Sequence, residues 1–114
     1  MLGIVSQGDK TCAASEDTIV TSSESGVFAA IFDLSAMVAS DVIQVRLKTK
    51  ARATGTGNNL RTAAYASYTG AQSDPTNVVL GPIPVGVQCS VTIKQTATGS
   101  GGYKVVPWML VRIG

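Results

Sequence analysis

Between Ile43 and Lys50 the chain alternates strictly. Ile43, Val45, Leu47 and Thr49 fall on one side of an extended backbone, and Gln44, Arg46, Lys48 and Lys50 on the other. A period of two is what a strand with one wet face requires; helical geometry would scatter the same residues around a cylinder. Asp41–Lys50 therefore reads as a central strand about 30 Å long. The same period recurs over Val87–Thr96, where Val87, Cys89, Val91 and Ile93 oppose Gln88, Ser90, Thr92 and Lys94.

The remaining segments are shorter. Leu2–Val5 is an apolar stretch closed by Ser6–Asp9, so residues 1–9 read as an arm or an edge strand. Lys10–Ala14 and Thr18–Thr21 are weak strand candidates. Ser22–Gly26 is a turn of small polar residues that bond their own backbone, ended by a glycine suited to positive φ. Val27–Leu34 is a strand with Phe28 and Phe32 on one face. Ser35–Ser40 predicts a single helical turn capped by Ser35 or Asp33, too short to extend further. Ala51–Asn59 is a hairpin loop from which Leu60–Tyr68 returns antiparallel, with Ala64, Ala66 and Tyr68 on one face. Thr69–Asn77 is a long turn. Val78–Leu80 meets Gly81–Gly86, whose two prolines cannot donate to a ladder, so it lies at a sheet edge or crosses between sheets. Tyr103–Ile113 is the last strand, with Pro107 as a bulge or edge feature and Trp108 near its centre.

That makes about eight strands at spacings near ten residues, with no room for crossover helices, so pairing is antiparallel. The expected fold is all-β: one domain over residues 1–114, a two-sheet antiparallel β-sandwich, jelly-roll-like in preference to an immunoglobulin-like Greek key. Composition strengthens this. The 33 Val, Thr and Ile residues outweigh six Leu and two Glu, and β-branched side chains favour pleated surfaces over helices. Charged residues make up only 14% against a typical share of about 25%, so part of the surface is expected to be hidden in an assembly.

The net charge of +2 conceals an asymmetry. Six of seven acids lie in the first 41 residues with one base, Lys10; the remainder carries eight bases and one acid, Asp74. Either strands from both halves pair and the charges mix, or the molecule is polar and docks head to tail or onto an acidic partner. Arg46, Lys48, Lys50 and Arg52, spaced by two, form a basic stripe. It reads first as a solvated outer face that discourages edge aggregation, then as a dock for an acidic protein surface. Nucleic acid comes third, because no aromatics interleave with the stripe.

Catalytic chemistry finds little to work with. There is no histidine, so the usual base of nucleophilic triads is missing. Glu16–Asp17 reads as turn solvation, and no calcium loop accompanies Glu24 or Asp9. Thr54–Gly57 and Thr98–Gly102 are flanked by strands and read as hairpin turns, not phosphate loops. No enzyme activity, cofactor or metal is expected. Cys12 and Cys89, far apart among small and apolar residues, read as two reduced, buried thiols. Trp108 reads as core in preference to an interface anchor. No signal-peptide pattern opens the chain and no apolar run reaches membrane-spanning length, so synthesis in the cytoplasm and no membrane partner are expected.

Three segments together resemble small virion proteins of tailed bacteriophages: Val42–Lys50 feeding the Gly-Thr-Gly hairpin, Ala64–Gln72, and Val91–Thr96 followed by a glycine-rich loop and Val106-Pro-Trp108. The ordering, over roughly residues 18–113, looks like that of β-rich head decoration (cement) proteins. The resemblance rests on strand-and-turn patterns and carries over no functional residue. It implies a homodimer or homotrimer bound to the major capsid protein on the outer surface of an icosahedral head, stabilising the shell. The alternative is a glycan-binding head- or tail-fibre module for host attachment, using Trp108 or tyrosines as stacking platforms. The interface residues expected are Arg46, Lys48, Lys50, Arg52 and Trp108.

Overall fold

The computed structural model describes residues 3–114 and holds eight strands: β1 Gly3–Thr11, β2 Asp17–Ser22, β3 Gly26–Asp33, β4 Val42–Lys50, β5 Leu60–Thr69, β6 Asn77–Val85, β7 Cys89–Ala97 and β8 Val105–Arg112. They form two antiparallel four-stranded sheets, ordered β1-β8-β3-β6 and β2-β7-β4-β5. Every connection except β4–β5 crosses from one sheet to the other. The ladders β1·β8, β2·β7, β3·β6 and β4·β5 pair the outgoing half of the chain with the returning half, and β3·β8 and β4·β7 close the roll. This is a jelly roll: one long hairpin, with β4–β5 at its tip, rolled into a two-layer sandwich.

The alternation in β4 is realised as expected. Ile43, Val45 and Leu47 have no exposed surface, while Gln44, Arg46 and Lys48 remain half-buried on the outside. Opposite them stand Phe28, Phe32 and Leu110, also fully buried, with Val91 and Ile93 from β7. Truncating a site such as Leu47 to Ala costs ~2–5 kcal/mol in comparable cores. Ser90 and Thr92 are buried although they face outward. They sit on an interior strand between Lys48 and Arg46 on β4 and Thr21 and Thr18 on β2, whose side chains cover them.

Three expectations need correction. Ser6–Asp9 does not end a strand: β1 runs on to Thr11 with only a bulge near Val5. Pairing with β8 supplies the order that its polar sequence hides. β1 is an edge strand; Met1 and Leu2 lie outside the described residues. Ser35–Ser40 forms no helical turn. The Asp33 carboxylate accepts the Ser35 N–H at 2.9 Å, and two tight turns follow, with Met37 N–H donating to Leu34 and Asp41 N–H to Val38, each at 3.1 Å. Too few residues are present to nucleate a helix, and Ser40, at φ 75°, is in the left-handed region. The segment Val78–Leu80 is not stopped by Gly81. It continues as the edge strand β6 through Pro82 and Pro84, whose missing N–H groups an edge tolerates.

One end of the sandwich is held by a buried carboxylate. Asp41 has no exposed surface. Its Oδ1 accepts the Gly99 N–H at 2.6 Å and Gln95 Nε2 at 3.1 Å, and its Oδ2 accepts the Val38 N–H at 2.9 Å. Lys104 Nζ lies 3.2 Å from Oδ2 and also donates to the Ser100 and Gly102 carbonyls at 2.8 and 2.7 Å. Gln95 Oε1 accepts the Lys104 N–H at 2.9 Å. The β3–β4 and β7–β8 loops are thereby fastened together. Gly99 is required by the closeness of the two: a Cβ there would run into the Ala39 carbonyl.

Burial by itself pushes the Asp41 carboxyl up, but the Gly99 and Val38 amides and the Lys104 ammonium together hold it below its ordinary range. A carboxyl held low in the folded chain stabilises it above about pH 3.9, the unfolded value, and that contribution is lost as pH falls through the lowered folded value. Asp41→Asn leaves the Lys104 charge without its counter-ion and is expected to cost ~3–5 kcal/mol. Chemical denaturation at pH 7 checks this. The difference between wild type and Asp41→Asn should shrink as pH falls into the acid range; a constant difference would assign the loss to packing alone.

Candidate functional site

The outward faces of the two sheets differ sharply. In the β1-β8-β3-β6 sheet, register places Gln7, Met109, Ile31 and Val79 in one row across all four strands. A neighbouring row holds Asp9 and Pro107, with Asp33 beside Asn77. Toward the other end Ile4 lies opposite Val111, which lies opposite Ala29. These residues alternate with Phe28, Ala30 and Phe32, which point into the core. The two rows frame an open groove of about 590 Å³, lined by Gln7, Gly8, Asp9, Ile31, Asp33, Asn77, Pro107, Trp108 and Met109.

The face around the groove is apolar. Among the described residues six large hydrophobic side chains are strongly exposed; Ile4 (58%), Val79 (60%) and Val105 (48%) belong to this sheet, and Ile113 (43%) follows the end of β8. The only charges among the described residues of this face are the carboxylates of Asp9 and Asp33. Other acids of the N-terminal half have basic partners: Asp17 with Lys10 at 3.6 Å, Glu16 with Lys48 at 2.6 Å, Glu24 with Arg112 at 3.5 Å and Asp41 with Lys104. Three of these pairs join the two halves of the chain, as the first reading of the asymmetry has it. Of the acids in the first 41 residues, Asp9 and Asp33 have no such partner, and both lie on the apolar face.

The β2-β7-β4-β5 sheet presents the basic stripe. Arg46 and Lys48 stand on the outer face of β4, with Lys50 at its end. The strand stops at Lys50, so Arg52 belongs to the hairpin loop, where its N–H donates to the Gly57 carbonyl at 3.1 Å. Lys48 is neutralised by Glu16, whose carboxyl it holds below the usual range. The Arg46 guanidinium lies 4.7 Å over the Tyr65 ring and donates to Gln44 Oε1 at 3.3 Å. The structure therefore keeps three of the four bases near one face, with Lys48 paired to an acid and Arg46 packed over a ring.

Trp108 packs against the core cluster. Its ring lies beside Gly8, which has no side chain to obstruct it, and its indole Nε1 is buried without a hydrogen-bond partner. It contributes to the groove lining without presenting a free stacking face. The ladder between β3 and β8 ends at Trp108, so Pro107 lies one residue beyond it. Sequence reasoning missed Gln7, Asp9, Ile31, Asp33, Asn77, Val79 and Met109. The available signal was the outward parity of apolar residues on strands whose inward residues are also apolar.

Among the described residues no group of three or more Cys, Asp or Glu side chains is placed to hold a metal ion. Cys12 and Cys89 are free and buried. Burial raises both thiols, Cys12 to about 11 despite the opposing pull of Lys10. Thiol reagents at pH 8 are expected to label neither cysteine in the folded protein and both after unfolding, since the thiolate is the reactive form. Mass spectrometry of labelled samples reads this directly; rapid native labelling of one residue would reveal local opening at its end of the sandwich.

No protein-family model, no curated protein and no solved structure matches the chain.

Proposed function

We propose that this chain is a structural virion protein that decorates a viral shell and docks on it through the outer face of the β1-β8-β3-β6 sheet. The observation that carries the reading is the concentration of Ile4, Val79 and Val105 on that face, around the groove, with Ile113 following the end of β8. Exposed apolar surface of this kind, rimmed by polar groups, marks a protein interaction site. The opposite sheet shows polar and basic side chains to water. The phage-head assignment rests on the resemblance of the three strand-and-turn segments. A shell repeats one docking surface many times, so modest affinity per site suffices when each copy touches several subunits. The complementary coat surface would be apolar, with basic groups facing Asp9 and Asp33.

Co-sedimentation with capsid shells of the source virus tests this. Wild type is expected to pellet at saturating stoichiometry. Val79→Asp and Val105→Asp add charge at positions already exposed, so they should leave the melting temperature within a few degrees and lower shell binding by about tenfold or more, the weight of a buried unpaired charge in an interface. Binding unchanged in both variants would remove this face from the contact. Failure of wild type to pellet would remove the shell.

A second reading is supported by the groove itself. Gln7, Asp9, Asp33 and Asn77 offer the planar polar groups that sugars use as hydrogen-bond partners, over the apolar floor of Ile31, Met109 and Pro107. In that case the chain is a glycan-binding attachment module. Trp108 lines the groove, so its fluorescence would shift on titration with host-surface glycans, and Asp9→Ala would abolish the shift. A flat titration across a panel of such glycans would end this reading.

A further inference from the structure

A sandwich of two open sheets has four edge strands, and three of them here are guarded. β6 carries Pro82 and Pro84. β2 is only six residues long and bulged, and its Asp17 is clasped by Lys10 from β1. β1 has a bulge near Val5 and the charged pair Asp9 and Lys10 near its end. These are the devices by which proteins keep sheet edges from pairing with other chains. β5 carries Arg61 and a bulge at Ala63 toward its start, but none of these devices from Ala64 to Tyr68. From Ala63 to Tyr68 it reads Ala-Ala-Tyr-Ala-Ser-Tyr, with no proline, glycine or charge.

β5 pairs with β4 alone. Alternate N–H and C=O groups of the strand must therefore point away from β4. Among the described residues the backbone hydrogen bonds outside the ladders include none from Ala63 to Tyr68. The capping side chain nearby, Gln72, reaches only the Thr69 and Gly70 carbonyls, at 3.3 and 3.2 Å. Ala63, Tyr65 and Ser67 are exposed, Tyr65 by 49%.

We infer that this edge pairs with a second copy of the chain, antiparallel, across a twofold axis at Ala66. The register follows from geometry. Opposed residues in an antiparallel pair share a face, so a residue can meet only one of its own parity. The regular run of β5 begins at Ala64, because Ala63 is a bulge opposite the step from Leu47 to Lys48. Centring on Ala66 keeps the pairing within the free run. Ala66 meets Ala66, Tyr65 meets Ser67, and Ala64 meets Tyr68. Each large ring falls opposite a small side chain, and no charge meets its like, since Arg61 lies beyond the paired segment. The result is a continuous eight-stranded sheet with the Arg46–Tyr65 pair of each copy near its centre. An isologous contact of this kind closes on itself. It leaves the apolar face of the other sheet free, so it stands independently of the docking reading above.

Light scattering on the isolated protein, without shells, tests it. Wild type is expected to be a dimer whose dissociation follows mass action on dilution over about a hundredfold range. Amides alternating along Ala64–Tyr68 should gain hydrogen-exchange protection as the dimer forms. Proline is then placed at two consecutive positions, Ala66→Pro and Ser67→Pro. One of these removes a donor to β4 and lowers the melting temperature. The other removes an outward donor and should yield a folded monomer. Val79→Asp should remain dimeric. A monomeric wild type with unprotected alternate amides would overturn the inference. So would a dimer that survives both prolines, or whose β5 protection does not change with concentration; either would assign the contact to the apolar face or to β1.

Discussion

A carboxylate with no water around it must be supplied with donors, and at Asp41 those donors come from segments far apart in the chain. Val38 is local. Gly99 and Lys104 lie about sixty residues away, and Gln95 belongs to the strand between. Leaving any of these unpaired in a dry interior carries the full desolvation cost of the group. The arrangement is therefore satisfied only when β4 and β7 are in register and the β3–β4 and β7–β8 loops are closed on each other. The apolar core alone does not impose this. Ile43, Val45, Leu47, Val91 and Ile93 would tolerate sliding by a full two-residue step, which keeps the same side chains inside. A polar cluster at one end has no equivalent position after such a step.

With the layers fixed, the two outward surfaces take different characters from the same alternation. On β4 the outward residues are Gln, Arg and Lys. On β3, β6 and β8 they include Ile31, Val79 and Met109. A sandwich needs only one apolar face per sheet, so the second apolar face is surplus to folding. It is this surplus that distinguishes one outward side of the molecule from the other. On the basic side Lys48 is paired to Glu16 and Arg46 is stacked on Tyr65.

Much of the fold was legible because most strands obey a single period. Ile43–Leu47 and Cys89–Ile93 announced their inner faces, Phe28 and Phe32 marked a third, and the prolines of β6 announced an edge. The full length of β1 was not legible, because an edge strand with Ser6, Gln7 and Gly8 in its middle owes its order to β8 and not to its own residues. Gln95 was also hidden. It occupies the inward parity of β7 yet is polar, and its reason is Asp41, fifty-four residues away. The candidate groove was missed for the converse reason. Strands apolar on both faces show no period, so nothing set Ile31, Val79 and Met109 apart from inward residues. The basic stripe holds as a face for Arg46, Lys48 and Lys50 but not for Arg52, and the pairing of Lys48 was hidden because Glu16 comes from the distant β1–β2 loop.

The chain doubles back on itself as a single rolled hairpin, and this fixes the sequence of events in its formation. The β4–β5 tip closes over nine loop residues and lies in the middle of the sequence, while Gly3 of β1 meets Arg112 of β8. Contacts of such long separation carry the largest loop-closure entropy and form slowly. During synthesis β1 must wait, unpaired, until the last strand has left the ribosome. The polar, glycine-containing and charged composition of β1 is suited to that wait, because it keeps the longest-orphaned strand from being an adhesive one.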